Sequence, residues 1–313
     1  MYSYVFRVDA GNIPELGTGH LFRCITIYNY LLKKGLKKKE LQFLIKSKKK
    51  YSLAKKILNQ KKINFISIDE DIKDFSKREL NILNTIQSKV IIFDRLSKIN
   101  HFFLSRLKFN YKKIIGIDIK KKNNLKLDLY LNPLQNKFTQ KKKIKNYKNN
   151  ILPSIFYKNH KNIKKKKLNL FTFFGGFDFK KINKKVKSIA KIKNLNLSNN
   201  KKSFYQNLNK ADVVICSGGL TVFDAIYFNK IIIAIPQYKH QLINLNCLSK
   251  EKVCILIKID KNFEKNFHNK IQEILSLSLK EKKLIYNRQK KIIYHKSQIN
   301  ILNKIYDCSK SVF

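Results

Sequence analysis

Gly17-Thr18-Gly19-His20-Leu21-Phe22-Arg23-Cys24 is the stretch around which this chain is organised. It follows the apolar run Tyr4-Val5-Phe6, which ends in Arg7-Val8-Asp9, and it opens an amphipathic run from Leu21 to Leu32. This order predicts a strand, a glycine turn and the start of a helix. Free N–H groups in a helix's first turn bind anions, so the pattern predicts an anion site with His20 at its edge. A plain strand-to-helix turn with a surface histidine is the alternative reading of so short a motif.

The composition favours anionic ligands without singling out a nucleic acid. The chain has 313 residues, 43% of them hydrophobic, which suits one large domain or two ordinary ones with a real core. Its formal net charge is +48, but only six residues are arginine and only nine are glycine. This bias is typical of an AT-rich coding sequence, and the lysines are spread along the whole chain. We therefore expect no specific nucleic-acid partner, although the charge would speed the encounter with any anion.

Cysteine and histidine usage predicts a cytoplasmic protein without metal or cofactor. The five cysteines are widely spaced and form no C-x-x-C pair, which favours reduced thiols over disulfides or zinc. The histidines are scattered, and no metal-ligand motif adjoins a glycine turn. The N-terminus lacks a signal-peptide pattern, and no apolar run is long enough to span a membrane. The sequence leaves the oligomeric state open, a monomer being the simplest expectation.

Alternating apolar and amphipathic runs in the first half predict a parallel sheet covered by helices. The predicted strands are 4–8, 41–46, 63–68, 90–94, 113–118 and 127–131, and the predicted helices are 21–32, 52–59, 76–87 and 100–109. Three aspartates, Asp9, Asp94 and Asp118, then fall at strand ends, where ligands bind in such sheets. For Asp118, which precedes a lysine run, we prefer a turn or capping role.

A polar, lysine-rich segment divides the chain in two. The pattern predicts an N-terminal Rossmann-like domain over 1–136, a linker over 137–167, a second Rossmann-like domain over 168–290 and a C-terminal helix over 291–313. In the second half, strands are predicted at 168–174, 211–216, 231–235 and 253–257, a helix at 179–190, and further helices from about 263 to 306.

Six of the nine glycines lie in three turns that follow predicted strands. These turns contain Gly17 and Gly19, Gly175 and Gly176, and Gly218 and Gly219. In a glycine-poor chain, such turns indicate positive φ or close approach of a ligand. Ser217-Gly218-Gly219-Leu220-Thr221 suits a diphosphate, and Asp224 would either meet ribose hydroxyls or compensate the helix dipole. The P-loop pattern is absent.

The same motifs resemble those of a known family. Arg7–Ala10 followed by Gly17–Cys24 resembles the R-x-D-A…G-x-G-H-x-x-R-C signature of the UDP-sugar hydrolases of the pseudaminic acid pathway, which are related to spore-coat polysaccharide biosynthesis proteins. Gly175–Asp178 resembles their G-G-[ST]-D turn, and Ala211–Ala225 their A-D-[LV]-x-I-x-x-G-G-x-T-x-x-E-A segment. The segment with Pro236, Gln237, Gln241 and Asn244 resembles the element that follows. The glycine motifs of the second half are shared with GT-B glycosyltransferases.

This resemblance implies a GT-B-like fold of two Rossmann-like domains with a cleft between them, the second holding UDP and the first presenting the catalytic group. It implies a nucleotide-sugar hydrolase that uses water to cut the bond between UDP and an acetamido-deoxy sugar. His20 matches the family's catalytic histidine, and Asp9 or Asp94 would orient it or hold sugar hydroxyls. The expected substrate contacts are Arg7, Gly17, Thr18, Gly19, Arg23, Gly175, Gly176, Asp178, Ser217, Gly218, Gly219, Thr221, Asp224, Gln241 and Asn244.

Three departures from the family pattern favour a relative of the hydrolase over the hydrolase itself, and two alternatives stay open. Asp224 stands where the family has Glu, and Asp94-Arg95-Leu96 stands where the hydrolases show Asp-His-Tyr. The interval between Phe174 and Val213 also looks one strand–helix unit short. One alternative is a GT-B glycosyltransferase that moves a sugar to a cell-surface glycan or lipid. The other is a non-enzymatic protein that binds RNA or membrane through its lysines.

Overall fold

The first half of the chain folds around a six-stranded parallel sheet. A computed structural model describes residues 2–13, 16–120, 125–131, 168–175, 178, 180–192, 196–198, 204–292 and 295–312. The strands are β1 Tyr2–Val8, β2 Leu41–Lys46, β3 Phe65–Ile68, β4 Ser88–Asp94, β5 Lys113–Ile117 and β6 Leu129–Leu131. They lie in the order β3-β2-β1-β4-β5-β6, and every neighbouring pair is parallel.

Helices connect these strands, as the alternating pattern predicts. Their bounds are α1 Gly19–Lys33, α2 Ser52–Gln60, α3 Lys77–Thr85 and α4 His101–Asn110. The inner strand β2 is buried along its whole length, because helices on both faces of a parallel sheet exclude water. One core of the first half packs strand residues such as Val5 and Phe93 against helix residues such as Leu80 and Phe103.

The second half forms a separate five-stranded parallel sheet. The strands are β7 Asn169–Phe173, β8 Asn196–Ser198, β9 Val213–Cys216, β10 Ile231–Ala234 and β11 Ile255–Leu256, in the order β11-β10-β9-β7-β8. The helices are α5 Ile182–Ile192, α6 Phe204–Lys210, α7 Leu220–Tyr227, α8 Lys239–Lys250, α9 Phe263–Ser276 and α10 Leu279–Ile292. Gln289 of α10 donates to the carbonyls of Lys230 and Val253, at 2.8 and 3.1 Å, and so ties this helix to its unit.

Three elements of the second unit differ from the sequence prediction. The sequence prediction named neither β8 nor α6, which both lie in the interval between β7 and β9. β8 is a three-residue edge strand and α6 has seven residues, so neither carries a recognisable period. Helix α5 begins at Ile182 instead of 179 because the Asp178 carboxylate accepts from the N–H groups of Ile182 and Asn183, at 3.0 and 2.8 Å.

The last helix, α11 His295–Lys310, crosses from one unit to the other. The first unit comprises Met1–Gln135 with Gln298–Phe313, and the second comprises Asn136–Ser297. Within the first unit, the hydroxyl of Tyr30 donates to the side chain of Asn303, and Ile305 is fully buried. The chain therefore returns to its first unit after completing the second.

The described residues form two parallel-sheet α/β units, which confirms the predicted fold class. Within these residues, no helix combines the length and apolar character needed to cross a membrane. The predicted linker 137–167, the boundary at 136 and the candidate residue Gly176 lie outside the described residues.

Candidate functional site

The carboxyl ends of three neighbouring strands in the first unit carry aspartates. Asp94 ends β4, while Asp9 and Asp118 follow β1 and β5 by one residue. From β1 the chain adds β2 and β3 on one side of the sheet, and it then adds β4, β5 and β6 on the other side, so the order switches between β1 and β4. Such a switch point leaves a crevice at the carboxyl ends of the strands, where ligands bind in open parallel sheets. All three aspartates therefore lie at the edge of the sheet where a site is expected.

The turn between β1 and α1 brings two side chains to this edge. Gly17 has φ of +53°, a left-handed conformation that glycine adopts at little cost. The N–H of Gly11 donates to the carbonyl of Gly17 at 3.1 Å and closes the turn. Thr18 then precedes α1 without a side-chain capping bond. His20 and Arg23 stand three residues apart in the first turns of α1 and so share one face.

Four of these side chains form what we call the switch-point cluster: His20, Arg23, Asp94 and Asp118. His20 Nδ1 lies 2.6 Å from Asp94 Oδ1. Arg23 donates from Nε to Asp94 Oδ2 at 2.7 Å and from Nη2 to Asp118 Oδ2 at 2.6 Å. Arg23 Nη2 also bonds Asp94 Oδ1 and lies 3.0 Å from His20 Nδ1. All four residues are buried, so their mutual contacts replace contacts with water.

Ion pairing favours the charged forms of Arg23 and Asp94 in this buried cluster. Burial alone would raise the pKa of Asp94, but Arg23 and His20 more than offset it and hold that pKa below its usual value. Burial would lower the pKa of Arg23, but Asp118 and Asp94 raise it above its ordinary value. The guanidinium and the Asp94 carboxylate therefore stabilise each other's charged form.

The switch-point cluster also has the spacing of a small metal site. The ligand atoms of His20, Asp94 and Asp118 all lie within 4.8 Å of one another. The sequence analysis found no metal-ligand motif, because the members of this group come from three separate segments. Arg23 Nη2, however, already bonds both carboxylates. The guanidinium of Arg23 therefore already occupies the place between these carboxylates, and a metal ion could bind there only by displacing it.

Asp9 and Arg7 belong to a second group, which we call the arginine–carboxylate network: Arg7, Asp9, Asp74, Glu79 and Arg95. Arg7 donates to Glu79 at 2.6 Å and to Asp9 at 2.7 Å, and it has no exposed surface. Asp9 also accepts from the backbone N–H of Lys46 at 2.7 Å.

These contacts bear on two expectations. Of the two aspartates named as possible partners of His20, Asp94 contacts it, whereas Asp9 binds Arg7 and the backbone of Lys46. Arg7, expected at the substrate, is buried and paired with Asp9 and Glu79.

Glu79 sits at the centre of this network. Arg95 approaches its two oxygens at 3.0 and 3.2 Å, while Arg7 binds one of them. Burial alone would raise the pKa of Glu79, but Arg95 and Arg7 lower it to about 2. The sequence reading did not name Glu79, and it preferred a turn or capping role for Asp118, because the partners of both residues lie far away in the sequence. The one available signal was the position of Asp118 at a strand end.

In the second unit, glycines and neutral side chains line the carboxyl ends of the strands. Gly175, after β7, has φ of +78°, which accounts for glycine there. Asp178, expected at the substrate, caps α5 with both oxygens. Gln237, after β10, donates to the carbonyl of Phe174 at 3.3 Å, and its own N–H donates to Gln241 Oε1 at 2.9 Å. Amide contacts thus join the ends of β7 and β10.

The two adjacent glycines after β9 have different reasons to be glycine. A Cβ on Gly218 would lie 2.9 Å from side-chain atoms of both Gln241 and Leu245, so the packing of α8 requires glycine there. Gly219, at the start of α7, has φ of −89° and nothing within 4 Å of an added Cβ. Neither backbone strain nor packing within the described chain therefore demands glycine at 219. The space beside Gly219, at the N-terminus of α7, is open.

The other predicted residues of this unit are mostly buried. Ser217, Thr221, Gln241 and Asn244 all have little exposed surface. Asp224 is only 1% exposed, which leaves its carboxylate little surface for the expected ribose contact. The turn Ser217–Thr221 carries hydroxyl and backbone N–H groups, and Asp224 adds no exposed carboxylate beside it.

Comparison with known structures supports the fold seen in both units. The crystal structure of MurG from Acinetobacter baumannii matches with a TM-score of 0.56 and 12% identity, over 97% of this chain and 99% of that chain. CalG4, the calicheamicin glycosyltransferase, matches with a TM-score of 0.65 and 7% identity, over 100% and 99%. The spinosyn rhamnosyltransferase SpnG, complexed with thymidine diphosphate, matches with a TM-score of 0.59 and 11% identity, over 97% and 100%. At these identities the likeness shows a GT-B-like fold.

The sequence comparison identifies the family. No curated protein sequence matches the chain. Residues 133–299, just over half of the 313, match the model of the glycosyltransferase family 28 C-terminal domain. The chain therefore belongs to the family of the glycosyltransferase family 28 C-terminal domain, and it is a GT-B glycosyltransferase-like protein related to nucleotide-sugar chemistry.

Proposed function

We propose that this chain is a nucleotide-sugar hydrolase that cleaves a UDP-linked acetamido-deoxy sugar. It would release UDP and the free sugar for nonulosonic-acid or surface-polysaccharide synthesis. The single observation that carries the proposal is the 2.6 Å contact between His20 Nδ1 and Asp94 Oδ1. The motif resemblance around His20 supports the choice of a hydrolase, and membership of the glycosyltransferase-like family supports a nucleotide-sugar substrate.

In this proposal His20 is the general base. With Nδ1 engaged by Asp94, Nε2 is the ring nitrogen that remains for a water molecule. As the water oxygen bonds to the anomeric carbon, Nε2 takes its proton, the anomeric carbon–oxygen bond to UDP breaks, and UDP leaves with the electron pair. Asp94 would stabilise the resulting imidazolium. A positioned base of this kind contributes roughly 10²–10⁴-fold to the rate.

The second unit would bind the nucleotide. Gly219 leaves space at the start of α7, where N–H groups favour a diphosphate. The hydroxyls of Ser217 and Thr221 would add donors on either side. The remaining expected contacts are proposals of the same kind: Gly17, Thr18, Gly19, Arg23, Gly175, Gly176, Gly218, Gln241 and Asn244.

A glycosyltransferase is the second candidate, and an exposed aromatic pair favours it. Phe102 and Phe109 lie seven residues apart on α4 and are 47% and 80% exposed. Residues at this spacing share one face of a helix. Exposed apolar side chains of this kind suit a lipid-linked acceptor. In that case His20 would deprotonate an acceptor hydroxyl in place of water.

The deciding experiment measures UDP release from a panel of UDP-linked acetamido-deoxy sugars with no acceptor present. Wild type, His20→Ala and the surface control His101→Ala would be compared, with UDP affinity measured alongside. We expect release by wild type and the control, and a 10²–10⁴-fold lower rate in His20→Ala with UDP affinity nearly unchanged.

Tight UDP binding without release from any sugar would favour the transferase. Equal loss of UDP binding and turnover in His20→Ala would mean that His20 has a structural role. Absence of UDP binding by wild type would contradict both candidates.

A further inference from the structure

Helix α4 carries apolar side chains on two faces. Phe103, Leu104 and Leu107 are buried and belong to the core of the first unit. Phe102 and Phe109 lie on the outer face of the helix and are 47% and 80% exposed. A helix at a protein surface usually turns polar or charged residues towards the solvent. Two exposed aromatic side chains on one face therefore indicate an interaction surface.

Basic residues lie beside the two phenylalanines. We call this surface the aromatic–basic face, and its members are Phe102, Phe109, Lys77, Arg106, Lys108 and Lys112. The Nζ of Lys77, at the start of α3, lies over the Phe102 ring at 5.9 Å from its centre, and the Arg106 guanidinium lies over it at 5.7 Å. The other two lysines are exposed and lie within three residues of Phe109. Long basic side chains can cover apolar surface while their charged ends reach water or phosphate.

The acids of this part of the chain do not offset the positive charge at its surface. Between residues 75 and 120, all of which the structure describes, the acidic residues are Glu79, Asp94 and Asp118, and each is at most 1% exposed. Their carboxylates bind arginines inside the protein. The charge that this segment presents to the solvent at neutral pH is therefore positive.

We propose that the aromatic–basic face binds the surface of an anionic phospholipid bilayer. The two phenylalanines would enter the region where headgroups meet acyl chains, while the lysines and the arginine contact headgroup phosphates. A helix that lies flat on a membrane has this combination of aromatic and basic side chains. The inference goes beyond the proposed function and does not depend on the reaction that the site performs.

The geometry of the face favours a bilayer over a nucleic acid. Phe102 and Phe109 are separated by two turns, about 10 Å along the axis, and so both rings reach a flat surface when the helix lies parallel to it. Single-stranded nucleic acids bind by stacking bases on free ring faces. The ring of Phe102 already has Lys77 and Arg106 over it.

The first test measures co-sedimentation of the full chain with vesicles of phosphatidylcholine and phosphatidylglycerol, compared with vesicles of phosphatidylcholine alone. Phe102→Ser/Phe109→Ser removes the aromatic pair. The matched control is Leu275→Ser/Leu279→Ser in the second unit, because these leucines are 45% and 85% exposed. We expect wild type and the control to bind the anionic vesicles, and the aromatic variant to bind at least about ten-fold more weakly. Circular dichroism would verify that both variants are folded.

A charge variant separates this face from the general positive charge of the chain. Lys108→Gln/Lys112→Gln should weaken binding to the anionic vesicles about 10- to 30-fold at low salt. Lys261→Gln/Lys265→Gln removes two exposed lysines of the second unit and makes the same change in net charge. This control should bind like wild type. The difference between the two variants should shrink at high salt, because salt screens exposed charges.

A fluorescent probe reads insertion directly, since the chain contains no tryptophan. The emission of Phe109→Trp should shift to shorter wavelengths on addition of anionic vesicles and should be quenched by brominated acyl chains. The emission of Leu279→Trp, placed in the second unit, should not change.

Three results would overturn the inference: no binding of wild type to anionic vesicles, equal loss of binding in the face variants and their controls, or an unchanged Phe109→Trp spectrum. Binding of single-stranded RNA, or formation of a dimer, that requires Phe102 and Phe109 in a protein that binds no vesicles would overturn it as well, and would assign the face to that partner.

Discussion

Both units have a parallel sheet, but the carboxyl edges of the two sheets carry different chemical groups. The edge of the first unit is crowded with buried ions, paired as Arg23 with Asp94 and Asp118, and as Arg7 with Asp9 and Glu79. The edge of the second unit is built from glycines, hydroxyls and amides, in turns such as Ser217–Thr221. A paired ionic edge holds its side chains in fixed positions, whereas a neutral edge leaves N–H and O–H donors for an anion. The contrast suits a catalytic group in the first unit and a nucleotide in the second.

The largest effect is expected from replacing Glu79, the central carboxylate of the arginine–carboxylate network in the first unit. Glu79→Gln would leave Arg7 and Arg95 facing a neutral amide inside the protein. Breaking a buried ion pair in this way typically costs about 3–5 kcal/mol. We therefore expect the free energy of unfolding to fall by about 3–5 kcal/mol at neutral pH, seen as a lower urea midpoint. The circular dichroism spectrum should stay unchanged. The matched control is Glu273→Gln, which removes an exposed carboxylate and should change stability by less than about 1 kcal/mol. A stable Glu79→Gln protein would mean that the network contributes little to the fold.

The same carboxylate should make stability depend on pH. The pKa of Glu79 is lowered to about 2 in the folded protein, below the ordinary value of 4.5. Its stabilising effect is therefore complete above pH 4.5 and is lost as the pH falls towards 2. By linkage the loss amounts to about 3 kcal/mol. The difference in unfolding free energy between wild type and Glu79→Gln should shrink over this range, as measured by urea titration at several pH values. A constant difference would contradict the lowered pKa.

The sequence predicted the fold well wherever structure follows from local pattern. Strand β2 is predicted to the residue, because Leu41–Lys46 is a mostly apolar run between two lysine-rich segments. Helix α1 was found because its apolar residues recur at helical spacing after a glycine turn. Strand β8 was missed because Asn196–Ser198 is too short to show any period.

The candidate sites were harder to predict, because their contacts join distant parts of the chain. Asp94 was named as one of two possible partners for His20, and only the structure distinguishes it from Asp9. The pairing of Arg23 with Asp118 spans 95 residues of sequence, and that of Arg7 with Glu79 spans 72. No local period encodes such contacts. A strand-end position indicates that a side chain reaches the edge, but not which partner it meets there.

The smallest expected effect separates the two neighbouring glycines of the neutral edge. Gly218→Ala places a Cβ 2.9 Å from Gln241 and Leu245, and overpacking of this kind costs about 1–3 kcal/mol. Gly219→Ala meets no atom within 4 Å and has an ordinary φ, so its stability should stay within about 0.5 kcal/mol of wild type.

If the open space at 219 admits a diphosphate, the added methyl should instead weaken UDP binding several-fold. Thermal unfolding and UDP titration of both variants would check this, with uridine as the control ligand that lacks phosphates. Unchanged UDP affinity in Gly219→Ala would mean that the diphosphate lies elsewhere, and the neutral edge would then need another explanation for its second glycine.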